Sequence, residues 1–269
     1  MGQDNAVARP ATPLSPDARA TTLRAADGVR LAATHLPHPG RVAVVVAHGF
    51  SGAHTNLCQA RVARGLARHA GVVAFDFRGH GASGGVSTVG ELEVLDLDAA
   101  VAWARDLGYQ DVVTCGWSMG GSVVIRHAAL IGGADAVVSV SAVSRWRVRE
   151  TRPMRRLHWI VERRTGRLVG RTLLNIRLAS HWVDEPESPV EVVGRIAPVP
   201  LLLVHGDRDT YFGSEHADAL YAAAGDPKEL WVVPGFAHAE SGATPALLDR
   251  IGGHLPALLA RRDMARCAI

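Results

Sequence analysis

The chain has 269 residues, 48% of them hydrophobic and 20% charged, with a formal net charge of +3. That composition excludes a mostly disordered chain and is enough for one large core, with room for an insertion. No apolar run approaches the roughly 18 to 20 residues needed to cross a bilayer. Cys58, Cys115 and Cys267 are an odd set with wide spacing, which suits neither a disulfide framework nor a zinc site.

Residues 1–20, rich in Pro, Ala and Asp, read as a flexible tail. They lack the basic start and apolar stretch of a secretory signal, so a cytoplasmic address is the default expectation. Residues 21–37 read as a β-hairpin turning at Asp27-Gly28. "RVAVVVAH" (41–48) is a continuous apolar run, expected for a strand buried on both faces. Residues 55–69 have helical spacing through Leu57, Ala60, Val62 and Leu66, and "GVVAFDF" (71–77) reads as a strand. A helix is expected over 90–107 from the stripe Leu92, Leu95, Leu97, Ala100, Val101 and Ala104.

Then come "DVVTCGW" (111–117) as a strand, with Cys115 as a small core residue, and a helix over 119–131. Further strands are expected at 134–142, 199–207 and 228–235, and helices at about 213–224 and 244–260. This alternation means an α/β fold: a mostly parallel, eight-stranded sheet covered by helices on both faces, with an antiparallel hairpin at its edge. Residues 143–196 break the rhythm and read as a short helical lid inserted after the sixth strand of a single domain over 21–269. In such sheets, function gathers at the carboxyl ends of the strands.

Gly-x-Ser-x-Gly occurs twice. Ser118, in "GWSMGG" (116–121), follows a strand and opens a helix. Ser83, in "RGHGASGG", lies in a glycine-rich loop and reads as loop structure. A serine on a sharp strand-to-helix turn has its hydroxyl raised above the sheet edge, and its neighbours two residues away must be small. Gly116 and Gly120 meet that need. The amide of Met119 then sits at a helix start, where unpaired N–H groups and the helix dipole favour negative charge. A nucleophilic serine needs a base, and the base an orienting acid. "LLLVHGDRDTYF" brings Asp207 and Asp209 to the end of one strand, and "WVVPGFAHAE" brings His238 to the end of the next.

Four motifs, "HGF" (48–50), "DFRGHGAS" (76–83), "GWSMGG" (116–121) and "HGDRD" followed by "GFAH" (205–209, 235–238), give the chain a resemblance to the α/β-hydrolase superfamily over about residues 21–260. The nearest likeness is to its short-lid serine hydrolases, such as monoacylglycerol-lipase-like and feruloyl-esterase-like enzymes. The resemblance implies Ser118 as nucleophile, His238 as base and Asp209 as acid, with Asp207 the weaker choice. It also implies an oxyanion hole made by the backbone N–H groups of Phe50 and Met119, and no metal or organic cofactor. His48 and Gly49 would shape the Phe50 turn, and Arg78 and His80 would brace the loop. Trp117 stands where many relatives have His, and with Tyr211 and Phe212 it is a candidate for the substrate pocket.

The implied substrate is a small-molecule acyl ester. A thioester on CoA or a carrier protein, transfer to an alcohol in place of water, and a silent ligand-binding fold are the alternatives. Residues 145–177 hold eleven arginines against Glu150 and Glu162. Such a lid could attract an anionic partner: acyl carrier protein, acyl-CoA or anionic lipid. No nucleic-acid motif accompanies these charges.

Overall fold

A computed structural model describes residues 14, 16–180, 182 and 185–267. Two strands open it, β1 (Arg19–Arg24) and β2 (Arg30–Leu36), then β3 (Val42–Ala47) and helix α1 (Leu57–Leu66). Next come β4 (Gly71–Phe75), α2 (Glu93–Asp106), β5 (Asp111–Trp117), α3 (Met119–Leu130) and β6 (Ala136–Val140). The insertion carries α4 (Arg152–Glu162) and α5 (Arg164–Leu173), followed by α6 (Pro189–Val192) and a 3-10 turn over Val193–Ile196. The chain closes with β7 (Leu201–Gly206), α7 (Glu215–Ala223), β8 (Lys228–Val233), α8 (Ala239–Gly242) and α9 (Pro245–Cys267).

All eight strands form one sheet in the order β1-β2-β4-β3-β5-β6-β7-β8. The hairpin pairs antiparallel, as does β2 with β4, and every later pairing is parallel. The β-branched runs of β3 to β6 are buried on both faces, as expected between two helical layers. One core layer joins the sheet to α2 and α3, the other to α1 and α9. Because β4 and β5 flank β3 on opposite sides, the winding reverses there. A crevice therefore opens at the carboxyl ends of β3 and β5. Among the described residues, no helix is long and apolar enough to cross a membrane.

Several expectations need correction. Of the tail expected over 1–20, residues 1–13 and 15 lie outside the described residues. Leu14, however, is buried in the core, and β1 already begins at Arg19. Leu57 does not belong to the buried stripe of α1. It sits at the first helical position, just after the Asn56 cap, and is 86% exposed, while Ala60, Val62, Ala63 and Leu66 face inward. The second helix starts at Glu93, not 90, because the turn before it is tied to the Glu93 carboxylate by Ser87, Thr88 and Gly90. The insertion also ends earlier than 196. Val192, Val193 and Ile196 are buried in the main core beside α3, so α6 and the 3-10 turn belong to the body.

Candidate active site

Ser118 occupies the turn between β5 and α3 with φ 52° and ψ −115°, a conformation that costs a non-glycine residue on the order of 1–3 kcal/mol. Packing explains why the turn persists. A Cβ at Gly116 would lie 2.1 Å from the Gly120 carbonyl oxygen, and one at Gly120 would lie 2.2 Å from that of Ala47. Only glycines let β5, α3 and β3 approach so closely. The Ser118 N–H donates to Val140 O at the end of β6, which pins the turn from below.

His238 follows β8, and its Nε2 lies 2.9 Å from Ser118 Oγ. Its Nδ1 lies 2.7 Å from Asp209 Oδ2, on the loop after β7. The Asp209 side chain is fully shielded from solvent. Burial would raise its pKa, but the hydrogen bond and charge of His238, with the amides of Phe212 and Tyr211, hold it below the usual carboxylate range. An ionised Asp209 accepts from Nδ1–H, which leaves the Nε2 lone pair facing the hydroxyl. Asp207 points elsewhere, accepting from the Gly235 amide.

Two rings fix the imidazole plane. Tyr211 stacks on His238 with centroids 4.2 Å apart, and Phe212 meets it edge-on at 5.2 Å. Beyond Ser118 lies a cavity of about 480 Å³. Phe50, Met119, Trp146, Met154, Leu157 and Phe212 make most of its wall apolar. Helix α4 roofs it, and its mouth carries Arg147 and Arg149, both paired to glutamates. Phe50 and Met119 line the same cavity as Ser118, and among the described residues neither backbone N–H is taken by a backbone carbonyl.

Of the three residues expected in the pocket, Phe212 lines the cavity. Tyr211 instead backs the imidazole. Trp117 is a correction: it is fully buried in the opposite core layer, among Val113, Cys115 and Leu66. Strand alternation places residues 113, 115 and 117 on one face, and that face looks away from the cavity. The decoy Ser83 donates from Oγ to Asp76 O at 2.5 Å and accepts from the Ala32 amide. Arg78 grips Asp96 through Nε, Nη2 and its backbone amide, and Asp27 through Nη1, tying its loop to α2 and the hairpin. His80 Nδ1–H donates to the Arg78 carbonyl, and the ring packs against His48.

Two residues at the site, Glu240 and Ser141, escape a reading of the sequence. Glu240, in α8, accepts from the Gly49 N–H at 2.6 Å and from the Gln59 side-chain amide. Ser141, with φ 50°, accepts from the Ala239 N–H, next to the imidazole. Sequence offers one faint signal, a glutamate two places after the histidine.

The alpha/beta hydrolase family model matches residues 44–266, and the chain belongs to that family. It is 28% identical over 244 residues to the uncharacterized protein YfhR of Escherichia coli O157:H7, covering 83% of this chain and 74% of that one. It is 27% identical over 252 residues to the uncharacterized protein Rv2307c of Mycobacterium tuberculosis, covering 89% and 77%. Among solved structures, the Pyrococcus furiosus esterase Pf2001 superposes with a TM-score of 0.73 at 24% identity, covering 91% and 92%. XC6422 of Xanthomonas campestris, described as a serine hydrolase without a lid, gives 0.60 at 21% identity, covering 93% and 97%. At these identities the structural likeness speaks to the fold. The family match makes the chain an alpha/beta hydrolase.

Proposed function

We propose that this protein is a short-lid serine hydrolase that cleaves a carboxylic ester through an acyl-enzyme. The observation that carries the reading is the chain of two contacts, Ser118 Oγ to His238 Nε2 at 2.9 Å and His238 Nδ1 to Asp209 Oδ2 at 2.7 Å. In this reading Ser118 Oγ attacks the ester carbonyl carbon as Nε2 takes its proton. The oxygen that gains charge is held by the N–H groups of Phe50 and Met119. The tetrahedral intermediate collapses, Nε2–H protonates the departing alkoxide, and an acyl-serine remains. Water, deprotonated by Nε2, then attacks that acyl group; the bond to Oγ breaks, Nε2–H returns the proton to Oγ, and the carboxylic acid leaves. The apolar cavity suits an acyl or alcohol part with little charge.

Hydrolysis of p-nitrophenyl esters of rising chain length tests the reading. Ser118→Ala should lower kcat by several orders of magnitude. Turnover within tenfold of wild type in that variant would remove Ser118 as nucleophile.

A second reading rests on the α4–α5 surface. Arg145, Arg147 and Arg149 are each paired to a glutamate. Among the described residues, no carboxylate pairs with Arg152, Arg156, Arg163, Arg164 or Arg171, and Trp159, Leu168 and Leu173 are exposed nearby in sequence. That mix favours an anionic partner, whether an acyl-CoA, an acyl carrier protein or an anionic lipid. With the first two, the substrate would be a thioester. A kcat/KM on acyl-CoA that falls steeply with salt is the expected result, and a flat salt profile would dispose of it.

A further inference from the structure

Gly49 is the weak point of the oxyanion loop. It sits between the end of β3 and the Phe50 amide, and glycine has the widest backbone freedom of any residue. Yet both peptide planes that meet at its Cα are held. The Gly49 carbonyl accepts from the Gly52 amide at 2.9 Å and lies 2.7 Å from His48 Nδ1. In a trans peptide the carbonyl and the following N–H point in opposite directions. Holding the Gly49 carbonyl therefore aims the Phe50 N–H the other way.

The preceding plane is held from a distant part of the chain. The Gly49 N–H donates to Glu240 Oε1 at 2.6 Å, and the same oxygen accepts from the buried Gln59 amide. Arg61 adds hydrogen bonds to the Glu240 and Ser241 carbonyls, fastening α8 to α1. The fit leaves no slack. A Cβ on Gly49 would lie 3.1 and 3.2 Å from the two carboxyl oxygens and 3.2 Å from Ser118 Cβ. So Gly49 is a glycine because the Glu240 carboxyl and the nucleophile both press on it, and that contact also removes its freedom.

We propose that Glu240 is a positioning residue: its carboxyl clamps the Gly49 amide and so keeps the Phe50 N–H aimed at the oxyanion formed when Ser118 attacks. The proposal rests on the serine-hydrolase reading above. Glu240 lies two residues from His238, so one short turn carries the base and also steadies the oxyanion donor. Burial pushes the Glu240 carboxyl above its usual range, with the Gly49 N–H pulling it back.

Steady-state hydrolysis of p-nitrophenyl butyrate by the full chain tests this, with melting temperature followed in parallel. Losing one oxyanion donor lowers kcat by about 10²–10³-fold, so Glu240→Ala is expected to lose about 10² in kcat while KM stays within about threefold. A trifluoromethyl ketone, which becomes tetrahedral on Ser118, should weaken by a similar factor. Glu240→Gln keeps an acceptor for Gly49 and should stay within about fivefold of wild type in kcat. The clamp is overturned if Glu240→Ala keeps kcat within threefold, if its loss lies wholly in KM, or if Glu240→Gln is equally impaired. Should Glu240→Ala not fold, Gln59→Met loosens the same carboxyl. It is expected to lower kcat at least threefold with KM unchanged, and an unchanged kcat there would also overturn the clamp. Active Ser118→Ala would instead defeat the underlying reading, and the two failures are thus separable.

Discussion

At the sheet edge, glycine close-packing holds Ser118, ring contacts hold His238, and the Tyr211 and Phe212 amides hold Asp209, while the neighbouring loop is fixed by Arg78 locked between Asp96 and Asp27. The α4–α5 cap above them is held differently. A small apolar cluster of Val143, Trp146, Val148, Met154 and Phe212 seats it, and its glutamates pair with arginines in water. Exposed ion pairs are worth about 0–1 kcal/mol, whereas breaking a buried one costs about 3–5 kcal/mol. The difference teaches a division of labour. Rigid strand ends fix the geometry of Ser118, His238 and Asp209, and on the proposed reading a more lightly attached cap sets what reaches them.

The largest effect that could break this comparison is on turnover. His238→Ala should reduce kcat by about 10⁴-fold or more in ester hydrolysis, with the melting temperature nearly unchanged, since the ring is a contact of the platform and not its foundation. A modest kcat loss with a large melting shift would reverse those roles. Next comes Arg78→Met, which strands the buried Asp96. Denaturant unfolding should show a loss of about 3–5 kcal/mol. A loss below 1 kcal/mol would mean that the loop is no better anchored than the cap.

Acid should act on the platform too. Burial pushes His48 down from 6.5 to about 3, and it lowers His35, His80, His127 and His216 as well. As pH falls below about 6.5 the unfolded chain takes up these protons first, so stability is full above that pH and is lost toward pH 3. His48 alone should account for about 2 kcal/mol at pH 5. Unfolding free energies that stay level between pH 7 and pH 5 would contradict this. The smallest effect belongs to the cap. Reversing Arg156 and Arg164 to Glu should leave stability within about 0.5 kcal/mol per site and leave kcat on a neutral short ester unchanged. A large drop in either would show that the cap is structural to the platform.

Much of the platform was legible because its signals are local. Runs such as Val44-Val45-Val46 mark strands buried on both faces, and Gly116 and Gly120 around Ser118 mark a turn that tolerates no Cβ. The order Ser118, then Asp207 or Asp209, then His238 could be read because each follows a strand, and parallel strands bring their carboxyl ends together; the resemblance alone favoured Asp209. What stayed hidden depends on which face meets what. Alternation groups Trp117 with Cys115, but nothing local says that their side faces α1 and α9, away from the cavity. The end of the insertion was misplaced because the short α6 carries too few residues to show a period. Glu240 left only a faint signal because its partners, Gly49 and Gln59, lie about 190 and 180 positions earlier in the chain.

The most direct test of the central claim is covalent labelling with a fluorophosphonate, followed by mass spectrometry of the tryptic peptides. If Ser118 is the nucleophile, the added mass falls on the peptide spanning 106–126 and disappears in Ser118→Ala, while that variant melts like the wild type. Undiminished labelling of Ser118→Ala, or probe mass on the peptide carrying Ser83, would contradict it.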